Sequence, residues 1–98
     1  MRSKEKQTEG AVVLWANANG WRNYKLSGLG EKGKPDRVFL HHPKLTVFIE
    51  FKKPGEPPTK LQLWHQSNLM QMGFTCLITD SAEEAINLLN TTGEPYGG

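Results

Sequence analysis

Pro35-Asp36-Arg37-Val38-Phe39-Leu40-His41-His42 and, after Pro43-Lys44, Leu45-Thr46-Val47-Phe48-Ile49-Glu50-Phe51-Lys52 decide the fold. Two runs rich in β-branched and aromatic residues, joined by a tight proline-containing connection, read as the two strands of a hairpin. Alternate side chains of a strand share a face, so Phe48, Glu50 and Lys52 project together while Val47, Ile49 and Phe51 project to the other side. One face can cover a core. The other carries an acid and an amine side by side.

Upstream, Lys4 to Asn19 reads as a helix, with Val12, Trp15, Ala16 and Asn19 on one face and Gly20 as its stop. Glu9 shares the face of Val12, Val13 and Ala16, where a carboxylate is costly unless it finds a partner. Trp21 to Leu26 reads as a short strand. Ser27-Gly-Leu-Gly-Glu-Lys-Gly-Lys34 follows, a glycine-rich loop expected to be mobile and open to a substrate. Downstream, Lys53-Pro-Gly-Glu-Pro-Pro58 breaks regular structure. Thr59 to Met72 then forms a helix, with Thr59 and Gln62 at capping-box spacing and Gly73 as its end. Phe74 to Thr79 is a strand, and Asp80-Ser81 caps a last helix ending near Asn90, with Ser81 and Glu84 repeating the capping-box pattern. The expected order is αβββαβα: an α/β fold with a mixed four-stranded sheet flanked by helices. Residues 1–90 make a single domain and residues 91–98 a flexible tail.

Composition agrees. Ninety-eight residues suffice for one core, and 37% hydrophobic with 22% charged residues is a globular balance. No apolar run nears the roughly 20 residues of a membrane span, and Met1 to Glu9 lacks the apolar segment of a secretory signal. The single Cys76, in an apolar run, reads as a buried thiol. The expected location is the cytoplasm. A net charge of +2 is too small to imply a polyanionic partner, but its distribution is uneven. Lys25 to Lys60 holds eight basic residues against four acidic, and the remainder four against six. No P-loop, dinucleotide fingerprint or zinc-ligand cluster interrupts the chain.

Taken alone, Glu50-x-Lys52 reads most simply as an ion pair. Asp36 changes that reading, because a hairpin brings the start of the preceding strand beside the end that carries Glu50 and Lys52. Two carboxylates and an amine then converge, a group suited to phosphodiester hydrolysis. Mg2+ takes hard oxygen ligands, commonly one or two carboxylates, and stabilises charge developing on phosphate. Lys52 is placed to orient the attacking water.

Gly33-x-Pro35-Asp36, Phe48-Ile-Glu50-Phe-Lys52-Lys-Pro54-Gly55, Thr59-x-x-Gln62 and Gly73 together resemble the virus-type replication-repair nuclease domain, VRR-NUC, of the PD-(D/E)XK superfamily. The likeness runs from about Glu5 to Leu89. It implies Mg2+ or Mn2+ held by Asp36, Glu50 and the main-chain carbonyl of Phe51, with Lys52 at the attacking water. Glu9 falls where similar nucleases carry a first-helix glutamate that completes the metal environment. Gln62 matches a glutamine near the active centre and is also the cap partner of Thr59.

Lys25, Lys32, Lys34, Lys53 and Lys60 bracket this group and are candidates for phosphate contacts. His41 and His42 have no third ligand nearby in sequence and read as structural. Trp15, Trp21 and Trp64 read as packing residues, with a subunit interface as the alternative for Trp64. The expected activity is structure-selective endonucleolytic cleavage of DNA. Because one domain carries one site, two symmetric cuts in a four-way (Holliday) junction would need a homodimer, the form that stand-alone phage-type members of the family resemble. The alternatives are a flap or nick nuclease of a replication complex and a non-catalytic DNA-binding module.

Overall fold

The computed structural model describes residues 3–26 and 32–97. Its elements are α1 (Lys4–Ala18), β1 (Arg22–Lys25), β2 (Arg37–His41), β3 (Leu45–Phe51), α2 (Lys60–Gln71), β4 (Thr75–Thr79) and α3 (Ala82–Gly97). The sheet order is β1-β2-β3-β4, with β1, β2 and β3 antiparallel and β4 parallel to β3. The αβββαβα order and the mixed sheet are those expected. The hairpin pairs Arg37 with Ile49 and His41 with Leu45, and the connection between them holds Lys44 at a φ of 63°.

Strand alternation separates two layers. Phe39 on β2 and Val47, Ile49 and Phe51 on β3 are buried together with Val12 and Ala16 of α1 and Ala85 and Leu89 of α3. Full burial of each large side chain contributes roughly 1.5–3 kcal/mol, which makes this face the principal source of stability. Helices α1 and α3 pack on it and on each other, whereas α2, the crossover between the parallel strands, packs against β4. No residue of α2 is buried.

Four local readings differ from the sequence. α3 continues through Thr91 to Gly97 instead of ending near Asn90, and Gly93 is buried where an added Cβ would lie 3.5 Å from the Trp21 ring. The capping box at its start is half formed: Ser81 Oγ accepts from the Glu84 amide at 3.1 Å, but the Glu84 carboxylate bonds the buried Thr79 hydroxyl. Trp64 is not a packing residue within the chain, being 57% exposed. Cys76 is half-buried, and burial pushes its thiol pKa up. No described helix is long and apolar enough to cross a membrane.

Candidate active site

One step beyond the hairpin register, Asp36 lies opposite Glu50, and the Asp36 amide donates to the Ile49 carbonyl at 3.1 Å. Asp36 Oδ2 in turn accepts the Phe51 amide at 2.8 Å, so the carboxylate is tied to the strand that carries its neighbour. The preceding segment is held from the other side. Gly33 has a φ of 83°, and an added Cβ would stand 2.6 Å from Leu61 Cγ, so only glycine lets this turn lie against the first turn of α2.

Gln62 organises the rest. Its amide nitrogen donates to Glu50 Oε2 at 2.9 Å, and its carbonyl oxygen accepts from Lys52 Nζ at 3.1 Å and from the Thr59 amide at 2.9 Å. The capping box is complete, so the helix cap and the site contact are one arrangement of one side chain. The Lys52 amine, 7% exposed as a residue, also lies 3.6 Å from Glu56. Its recorded partners are therefore Gln62 and Glu56, not Glu50. The simple Glu-x-Lys ion pair is not what the strand forms.

The electrostatics of the two carboxylates are unfavourable as they stand. Burial raises the pKa of Asp36, opposed by the Phe51 amide and reinforced by repulsion from Glu9. Burial and then the neighbouring Asp36 push Glu50 up to about 8, with Lys52 acting in the opposite sense. Glu50 Oε1 is buried without a hydrogen-bond partner. An orphaned carboxylate oxygen beside a second half-buried carboxylate fits a divalent cation, which would satisfy that oxygen and remove the repulsion. Asp36 and Glu50 are the carboxylates that would hold it. Among the described residues no three His, Cys, Asp or Glu side chains gather into a larger ligand cage.

Glu9 is buried on the inward face of α1, as its spacing predicts, and its partner is Arg37, whose Nε donates to Glu9 Oε2 at 2.6 Å. Lys6 stands 3.6 Å from the other oxygen. Sequence reading passed over Arg37; the signal was a cation two residues from Phe39 on the core-facing side of β2, opposite an inward glutamate. His41 sits at the turn end of the hairpin against Trp21, with ring centres 4.9 Å apart, and takes no part in the site. Lys25, Lys32, Lys53 and Lys60 are exposed and Lys34 is half-buried. Ser27 to Glu31, the larger part of the glycine-rich loop, lies outside the described residues.

Comparison with known proteins agrees with this fold. No family model matches the chain. A phage protein named "Putative nuclease p44", from Acyrthosiphon pisum secondary endosymbiont phage 1, is 31% identical over 80 residues, covering 82% of this chain and 86% of its own. A solved structure described as a VRR_NUC domain superimposes with a TM-score of 0.81 at 23% identity, covering 91% of this chain and 97% of that one.

Proposed function

The chain belongs to the nuclease family of that phage relative and has the VRR-NUC fold, and on that premise we propose that it is a metal-dependent, structure-selective endodeoxyribonuclease. The observation that carries the reading is Glu50: a half-buried carboxylate with one buried, unpartnered oxygen, facing Asp36, while the adjacent lysine is engaged elsewhere. A purely structural ion pair would have closed Glu50 onto Lys52. That contrast argues against a non-catalytic DNA-binding module.

Asp36, Glu50 and the Phe51 carbonyl would hold Mg2+ or Mn2+ in this reading. A bound cation supplies charge neutralisation at the scissile phosphate. Lys52, fixed by the Gln62 carbonyl, orients the attacking water, and Gln62 keeps amine and carboxylate at a constant separation by bonding both. Glu9 contributes through its charge, which acts on Asp36 while its oxygens are bound to Arg37 and Lys6. Lys25, Lys32, Lys34, Lys53 and Lys60 supply phosphate contacts without base specificity.

The preferred substrate in this reading is a four-way junction cut by a homodimer in the host cell cytoplasm. Exposed apolar residues on and just after α2 are the support for a second copy: Trp64, Leu61, Leu63, Met70, Met72 and Phe74. The test is a panel of labelled duplex, flap, splayed-arm and four-way DNAs with and without Mg2+, run beside a mass measurement. Metal-dependent cleavage lost in Asp36→Ala is the expected result. Undiminished cleavage in that variant would overturn the site, and a monomer equally active on plain duplex would overturn the junction reading.

A further inference from the structure

We propose that the cleft between α1 and β1 is a second phosphate subsite, in which Arg37, Lys6 and Lys25 bind a non-scissile phosphodiester of the DNA. The proposal rests on the nuclease reading only in taking DNA as the ligand. The cleft is an open groove of about 700 Å³ whose lining includes Lys6, Glu9, Asn17, Lys25 and Arg37. Three cations stand there against one carboxylate. Of the lysines singled out in the sequence, Lys25 alone lines it.

Arg37 is built into this cleft. Its side chain is only 20% exposed, and its Nε and Nη1 donate to Glu9 at 2.6 Å and to Asn23 Oδ1 at 3.0 Å. Asn23 Nδ2 in turn donates to Asn17 Oδ1 at 2.9 Å, so a chain of hydrogen bonds from α1 through β1 fixes the plane of the guanidinium. A guanidinium carries five N–H donors, and the two recorded bonds leave Nη2 without an acceptor among the described residues. A preoriented fork with free donors is the arrangement that binds a phosphate oxygen at little entropic cost. The buried Glu9 explains why one cation is needed there, because a lone buried carboxylate is strongly unfavourable. Glu9 also holds Lys6 at 3.6 Å, but it does not account for Lys25, which lines the same open groove.

Position in the chain links this cleft to the active site. Arg37 follows Asp36 directly, about 3.8 Å away along the backbone, and strand alternation sends the two side chains to opposite faces of the sheet. The two sites remain neighbours, because Glu9 in the Arg37 cleft also acts on Asp36. A DNA strand whose reacting phosphate lies at Asp36 and Glu50 therefore passes the Arg37 cleft, which grips a neighbouring phosphate and sets the register of cutting.

The test is metal-free binding of a labelled duplex, followed by fluorescence anisotropy between 50 and 200 mM salt, roughly the range over which phosphate contacts are read. Lys6→Gln and Lys25→Gln, both exposed, should each weaken binding roughly five- to tenfold near 0.1 M salt and lower the logarithmic salt slope by about 0.9, on any duplex sequence. Arg37→Gln should do the same, with thermal melting showing whether the chain remains folded. Should it not fold, the lysine variants decide. Unchanged affinity and slope in the Lys6→Gln, Lys25→Gln double variant would overturn the subsite. Because no metal is present, a failure of cleavage in the panel described above would count against the nuclease reading and leave this result standing.

Discussion

The two faces of the sheet follow opposite rules. Under α1 and α3, Phe39, Val47, Ile49 and Phe51 are sealed from water and their neighbours are apolar. Under α2 the same strand presents Glu50 and Lys52, and the covering helix buries none of its own residues. Most of the stability therefore resides on one face, while Glu50 and Lys52 of the proposed site lie on the other. The polar face tolerates a buried, unpartnered carboxylate oxygen because the apolar face holds the strand in register.

The largest expected effect comes from separating the two. Lys52→Ala should lower the cleavage rate about 10²–10⁴-fold while the urea midpoint moves little. Phe39→Ala should cost about 3–5 kcal/mol of stability and lose activity only in proportion to the unfolded fraction. A Lys52→Ala protein that unfolds, or a Phe39→Ala protein as stable as the parent, would break the comparison.

Glu50 sharpens it through pH. Its folded pKa of about 8 stands above the ordinary 4.5, so the folded chain holds the proton more tightly than the unfolded one. Without metal, stability should fall as pH rises from about 4.5 to about 8. Divalent-metal affinity should rise over the same window, roughly tenfold per pH unit where one proton is displaced, and level off above it. Glu50→Gln should flatten the melting-temperature profile; a slope unchanged in that variant would assign the titration elsewhere.

Gly33→Ala is expected to cost about 1–3 kcal/mol, since alanine at a φ of 83° is strained and its methyl meets Leu61. Its activity loss should exceed that of an equally destabilising core change, because the displaced segment carries Asp36. Smallest is Trp64→Ser, expected to leave chain stability within about 0.5 kcal/mol. Sedimentation should show a shift towards monomer, and an unaltered dimer would move the interface away from α2.

Much of this was legible in order and spacing. The hairpin, the opposed faces of β3, the inward Glu9 and the Thr59-Gln62 cap follow from local periodicity and from capping preferences, which depend on near neighbours in the chain. The length of α3 is not legible in the sequence, because Asn90 to Gly97 has weak helical preference and Gly93 lies against Trp21, distant in sequence. Between packing and a subunit interface for Trp64 the sequence does not decide, and only the placement of α2 exposes it.

By itself, then, the sequence determined which residues share a strand face and that Asp36, Glu50 and Lys52 lie near one hairpin end. Tertiary structure alone decided their partners. Gln62 joins Glu50 to Lys52 across a gap between sheet and helix, and Arg37 joins Glu9 across another. Such bonds depend on the separation of packed elements to within a few tenths of an ångström. Periodicity sets the direction of a side chain but carries no information about that distance.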